Sequence, residues 1–264
     1  AISALITGEI DVISGSGAAS IVAAERGLPI TIVGSFGSTI YKLVANPGIQ
    51  SIRDLKGKTV VTSRPGSSTD FALRRTLSKL GLVPDKDVKI LPTGIAEAEK
   101  RILLMLQDRM DATLASPESI YSAEVQGGVK MGILADLEEL GVYNTVGDLS
   151  TRRELLKTGR DRLQAFFKAC SEAIWVGKKN KENSIKVISK YMKVYDPKRL
   201  DLIYEASLAR MPAKPYPREE AIRLELENMA VTDRRFKDKK SSEFIDNSIL
   251  MELESQGFFD RLHR

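Results

Sequence analysis

Thr59-Val60-Val61-Thr62-Ser63-Arg64-Pro65-Gly66-Ser67-Ser68-Thr69-Asp70 is the stretch that decides the fold. Four β-branched residues make a strand. A loop of glycine and hydroxyl residues follows, and a helical pattern runs on to Gly81. The first backbone N–H groups of a helix point outward and carry partial positive charge, so a strand-loop-helix unit of this kind attracts an anion. The unit occurs again at Ile10-Asp11-Val12-Ile13-Ser14-Gly15-Ser16-Gly17-Ala18-Ala19-Ser20, and in weaker form at Asp111-Ala112-Thr113-Leu114-Ala115-Ser116-Pro117-Glu118. Three polar loops at strand ends make a small-molecule site.

Around it, apolar runs at Ile10–Ser14, Ile30–Gly34, Tyr41–Ala45, Thr59–Thr62, Val88–Leu91 and Ala112–Ala115 alternate with helical patterns. Ala72, Leu73, Thr76, Leu77 and Leu80 share one helix face; Ala98, Ile102, Met105 and Leu106 share another. Gly27 and Gly81 stand where helix C-caps belong, and Ser116-Pro117 is an N-cap and first-turn pair. The alternation predicts an α/β fold with a mostly parallel sheet. After about residue 150 the strands stop. Helices are expected at Asp161–Lys178, Ser184–Tyr195 and Leu200–Arg210. Another begins at Pro217 and runs to about Met229, and a last one is capped by Ser241 and ends near Gly257. This helical tail is too apolar on one face to stand free.

At 264 residues the chain is long enough for one large domain or two lobes. Apolar content of 42% and charged content of 28% are those of a globular protein. The net charge of +5 is scattered. Its densest cluster, Lys178-Lys179-Asn180-Lys181, ends a helix, where cations suit the macrodipole, and it gives no nucleic-acid patch. Lys237-Asp238-Lys239-Lys240 reads as a surface loop. Cys170 is the single cysteine, on the apolar face of a helix, and reads as a buried structural thiol. No apolar run reaches membrane-spanning length. Ala1–Thr7 already reads as helix without a lead-in, so residues upstream, including a targeting segment, are expected.

Catalytic motifs fail one by one. Gly15-Ser16-Gly17-Ala18-Ala19-Ser20 lacks the last glycine of the dinucleotide fingerprint, and the next strand ends in Gly34-Ser35 rather than an acid. No phosphate-binding G-x-x-x-x-G-K-[ST] occurs. The sole histidine, His263, is the penultimate residue, which leaves no serine or cysteine triad and no histidine metal site. The expectation is therefore no catalytic residue, no metal and no cofactor. Glu118 begins the third helix, either as a charge complementing the dipole or as a partner for a ligand amine or hydroxyl.

Ile52-Arg53-Asp54-Leu55-Lys56-Gly57-Lys58-Thr59-Val60, with Gly8-Glu9-Ile10-Asp11-Val12, resembles elements of the SsuA/NMT1/THI5-like solute-binding proteins of ABC importers. Leu77-Ser78-Lys79-Leu80-Gly81-Leu82 before Asp87-Val88, and Asp108-Arg109-Met110-Asp111-Ala112 before Pro117, extend the resemblance over about residues 4 to 180. It implies a two-lobed type II periplasmic-binding fold with two crossover strands, Tyr41–Ala45 and Asn144–Ser150 being the candidates, and a ligand cleft between the lobes. One lobe is expected from residues 1–44 and 150–264 and the other from 45–149, and the family's N-terminal strand-helix unit is not in this chain. Ser14, Gly15, Ser16, Gly17, Ser35 and Phe36 are the expected ligand residues of the first lobe. Arg64, Gly66, Ser67, Ser68, Thr69, Thr93, Ser116 and Glu118 are those of the second. The implied role is capture of a small, anionic solute of the nitrate, sulfonate, taurine or pyrimidine-precursor class. Its partners would be a permease and an ATPase. The place is periplasmic or extracellular, with membrane contact only through the permease or an anchor. A pyrimidine-synthase-type enzyme or a ligand-sensing domain is the alternative on the same fold.

Overall fold

The structure, a computed structural model, describes residues 1–37, 40–107 and 110–262, which leaves Ser38, Thr39, Asp108, Arg109, His263 and Arg264 outside the described residues. In chain order the elements are α1 (Ile2–Thr7), β1 (Val12–Gly15), α2 (Gly17–Glu25), β2 (Ile30–Ser35), β3 (Lys42–Ala45), β4 (Thr59–Thr62), α3 (Ser68–Lys79), β5 (Lys89–Pro92), α4 (Ala98–Gln107) and β6 (Ala112–Ala115). There follow α5 (Pro117–Gly127), β7 (Gly132–Asp136), β8 (Asp148–Arg152), α6 (Leu155–Thr158), α7 (Arg160–Lys179), α8 (Lys181–Met192), α9 (Pro197–Ala206), α10 (Glu219–Thr232), α11 (Ser248–Ser255) and α12 (Phe258–Leu262). They gather into two compact units: residues 1–38, 145–193 and 207–264, and residues 39–144 and 194–206. The α9 segment groups with the second unit, where it packs on α5, whereas the sequence pattern assigns everything after residue 150 to the first lobe.

The sheets are mixed rather than mostly parallel. In the first unit the strand order is β1-β8-β2, and β8 runs antiparallel to both neighbours. In the second the order is β5-β4-β6-β3-β7. There β4 is parallel to β5 and β6, while β3 is antiparallel to β6 and β7. The physical reason is connectivity. The β4-α3-β5 and β6 segments are joined by helices and so run parallel. The two crossover candidates, β3 and β8, enter each sheet in the opposite sense. Strand β7 has no counterpart among the expected runs. Its five residues include two glycine- or acid-bounded ends, and Ile133 is 56% exposed, so its apolar run is too short to register as a strand.

Packing fixes the helices that carry the loops. Ala72, Leu73, Thr76 and Leu77 of α3 are buried as the spacing predicts, the apolar three in a cluster with Leu43, Val60 and Leu114. Burying Leu73 and Leu77 contributes about 1.5–3 kcal/mol each. That exceeds the ~1 kcal/mol of a helix N-cap, so the apolar face rather than the cap sets how α3 lies on the sheet. In the first unit Val33, Leu149, Leu163, Phe167, Ile249 and Leu253 form the core between β2, β8, α7 and α11.

Several tail helices start elsewhere than expected: α9 spans Pro197–Ala206 rather than Leu200–Arg210, and α10 begins at Glu219, which leaves Pro217 outside its first turn. Helix α8 begins at Lys181 because the Asn180 side chain accepts from the Asn183 N–H at 3.0 Å. Ser241 opens only a single 3₁₀ turn, not the last helix. The chain then lies along β2: the Ile32 N–H donates to Phe244 O and the Asp246 N–H donates to Ile32 O, both at 2.8 Å. An otherwise open strand edge is thereby covered, and α11 starts afresh after Asn247. Cys170 is half-buried rather than buried, and burial pushes its thiol pKa up.

Candidate functional site

In the second unit three parallel strands, β5, β4 and β6, lie side by side and end together, which brings their loops to one edge. After β4 come Ser63 to Thr69. The Ser63 hydroxyl lies 3.0 Å from that of Ser67 and 2.7 Å from that of Thr69, and Ser67 and Thr69 are 3.0 Å apart. Each hydroxyl has one proton: that of Ser67 goes to Arg64 O at 2.8 Å, and those of Ser63 and Thr69 can rotate toward an oxyanion. Ser67 and Thr69 are half-exposed, and Ser68 is buried in the first turn of α3. Arg64 is exposed beside them.

The backbone contributes less than the sequence implies. The Gly66 N–H donates to Asp70 Oδ2 at 3.0 Å, and the Asp70 N–H to Ser67 Oγ at 3.3 Å. The loop thus caps its own helix, with Asp70 buried and bridged to Arg74 Nε at 3.3 Å. Gly66 has φ +69°, and a Cβ on it would meet nothing within 4 Å. Its glycine is required by that left-handed backbone, not by close packing.

After β5, Thr93 Oγ1 donates to Thr62 O and the Gly94 N–H to Ser63 O, tying this loop to the first. After β6, Ser116 is the N-cap of α5, but its hydroxyl turns to Glu118 Oε1 and to Ser119 Oγ instead of capping an amide. Glu118 Oε2 is buried without a hydrogen-bond partner.

Arg101, 1% exposed on α4, belongs to this region and escapes a reading by sequence alone. Its guanidinium donates to Ile95 O, Ala96 O, Leu114 O and Thr113 Oγ1 and forms no ion pair among the described residues. It sits among carbonyls without a carboxylate contact, and burial lowers its pKa. The one signal in the sequence is an arginine immediately before the apolar Ile102 of an otherwise apolar face.

In the first unit Gly15 and Ser35 end the two strands β1 and β2, and both stand opposite Asp148 of the intervening β8. Ser14, Ser16 and Phe36 flank this point, the Phe36 N–H donating to Gly147 O at 2.8 Å. The amides that begin α2 are already used: Gly17 N–H donates to Thr145 O at 2.8 Å and Ala18 N–H to Thr145 Oγ1 at 3.2 Å. Thr145 Oγ1 in turn donates to Glu225 Oε2 of α10 at 3.4 Å.

Two acids unmarked in the sequence therefore sit behind the first loop. Asp148 is 5% exposed and Glu225 is 3% exposed. Burial pushes Asp148 up to about 7, with Ser35 opposing through a hydrogen bond. Burial, with the Asp148 charge adding to it, pushes Glu225 up to about 8, against a hydrogen bond from Thr145.

Known proteins share this fold. A sequence model described as NMT1/THI5 like matches residues 1–183. The chain is similar to the periplasmic aliphatic sulphonate binding protein SsuA from Escherichia coli, at 26% identity and TM-score 0.69, covering 93% of this chain and 78% of that one. It is also similar to the alkanesulfonate-binding protein SsuA from Xanthomonas axonopodis pv. citri bound to MOPS, at 22% identity and TM-score 0.68, covering 93% and 83%. The desulfurization enzyme DszB shares the fold at 11% identity and TM-score 0.69, covering 93% and 85%. No curated protein matches the chain. The type II periplasmic-binding fold expected from the sequence is the fold of these binding proteins.

Proposed function

We propose that this chain, which belongs to the NMT1/THI5-like family, is the solute-binding component of an ABC importer and captures a small anionic organic solute. The observation that carries the reading is the triangle of Ser63, Ser67 and Thr69 hydroxyls at the start of α3. Hydroxyls clustered at a helix N-terminus suit the several oxygens of a sulfonate or carboxylate. Arg101 supports it, because a buried guanidinium without a carboxylate contact leaves positive potential near the same strand ends. Ser116, Thr93 and Arg64 would add contacts from the neighbouring loops of the same unit. Ligand contacts made only in one arrangement of such a protein shift its population toward that arrangement.

The partners are a permease and an ATPase, and the place is periplasmic or extracellular. Among the described residues no helix is long and apolar enough to cross a membrane. The solute class is that of nitrate, sulfonates, taurine or pyrimidine precursors. Calorimetry over these compounds tests the reading. A 1:1 isotherm for one of them should weaken by about 1–3 kcal/mol in Ser67→Ala and in Thr69→Val, the range for a hydrogen bond to a charged group. Unchanged affinity in both variants, with the fold intact by circular dichroism, places the site elsewhere.

A further inference from the structure

We infer that the α2 loop of the first unit selects a solute group that donates a hydrogen bond, an ammonium or a heterocyclic N–H, with Asp148 as its acceptor and Glu225 as a positioning residue. The inference rests on the reading of this loop as solute-binding and reverses the polarity that the sequence suggests for it. The helix start is not open to an anion, because Thr145 takes the Gly17 and Ala18 amides. The slot at the N-terminus of α2 is already filled by the chain's own carboxylate: a Cβ built on Gly17 would stand 2.2 Å from Asp148 Oδ2. A second anion brought here would meet two acids.

One oxygen of each acid lacks a donor. Asp148 Oδ2 and Glu225 Oε1 are buried and have no hydrogen-bond partner, and neither acid forms an ion pair among the described residues. Buried polar atoms are ordinarily satisfied, so each unpartnered one calls for a group to meet it. The elements around Asp148 supply neutral or acidic neighbours. Ser35 comes from β2, Thr145 from the segment leading into β8, Glu225 from α10 and the glycine backbone from α2. What the cluster needs is a proton or a donor. Asp148 stands in register with both Gly15 and Ser35, the two strand ends at which the solute is read to arrive. When an ammonium docks, the carboxylic acid gives its proton to solvent and the carboxylate accepts from the N–H, so charge and protons balance.

Calorimetry with 3-aminopropanesulfonate and butanesulfonate as matched probes tests this. Titrations run at pH 6 in two buffers of different ionisation heat. The wild-type chain should bind the amino compound about tenfold more tightly, the scale of one charged hydrogen bond. It should release up to one proton to do so, and release none with butanesulfonate. Asp148→Asn should remove the proton release and narrow the preference to under about threefold. Should that variant fail to fold, Glu225→Gln, with the wild-type proton release, decides. Equal affinity for the two probes without proton release, or a preference for butanesulfonate, overturns the inference and leaves the anion reading standing. Failure of both probes, and of every anion in the wider panel, to bind the folded wild type overturns that reading and the inference with it.

Discussion

The Asp148 carboxylate occupies the space that any side chain at Gly17 would need, with Oδ2 2.2 Å from the position of a Gly17 Cβ. The close approach ties the start of α2 to β8. It explains a glycine that the loop pattern alone assigns to ligand access.

Gly17→Ala should therefore destabilise the chain by about 1–3 kcal/mol, the range for overpacking a filled site. Thr145 Cβ, 2.9 Å from the same point, limits the escape of the backbone. In a double mutant with Asp148→Gly the penalty should shrink, a coupling that urea unfolding of the four proteins of the cycle measures directly. Additive effects would show that the two residues do not compete for one space.

The pH dependence of stability follows from the same acids. Ordinary aspartate and glutamate titrate near ~3.9 and ~4.3 in the unfolded chain. Asp148 titrates at about 7 and Glu225 at about 8 when folded. Between these values the folded state holds more protons than the unfolded one, so the slope of stability against pH is negative. Their contribution is fullest below about pH 4 and is lost as pH rises through about 8. Asp148→Asn and Glu225→Gln should each flatten the fall in unfolding midpoints between about pH 5 and pH 8. A wild-type midpoint that rises across that interval, unaltered in both variants, would contradict the assignment.

Much of this architecture is legible in the chain. The β-branched run of β4 and the three-and-four spacing of α3 specify a strand and a helix because local pattern and burial agree there. The polar loops after β1, β4 and β6 are legible for the same reason. Sheet direction is not, since β3 looks like any other apolar run, β8 carries one apolar residue, Leu149, and only their partners reveal their sense. Nor are Asp148, Glu225 and Arg101. Each is a charged residue whose surroundings come from other segments: Glu225 meets Thr145 across 80 positions. Ser63 does not stand out within its loop, as its hydroxyl partners appear only once the turn at Arg64 to Gly66 folds back.

Arg101→Met removes four N–H donors, two of them from the buried Thr113 hydroxyl and Leu114 carbonyl, and should cost about 2–4 kcal/mol as those acceptors lose their compensation. Hydrogen exchange should show the loop from Thr93 to Glu97 opening before β4 does. Exchange spread evenly over the second unit would argue that Arg101 acts on global stability alone.

Gly66→Ala should leave space untroubled and strain the backbone, because φ is +69° and a Cβ there meets nothing within 4 Å. The expected loss is about 1–2 kcal/mol of stability, the left-handed penalty of a side-chain-bearing residue. Thermal unfolding of Gly66→Ala beside Gly66→Asn checks it, with asparagine the milder of the two. Equal stability of the wild type and both variants would mean that this turn does not hold its positive φ.

The hydroxyl triangle is the point on which the proposed function turns. Calorimetric titration of wild type, Ser67→Ala and Thr69→Val with nitrate, a series of sulfonates and pyrimidine precursors tests it most directly. One saturable site is expected for at least one of these compounds, with a loss of about 1–3 kcal/mol in each variant. A folded wild-type chain that binds none of them, or one whose affinity survives both substitutions, would contradict it.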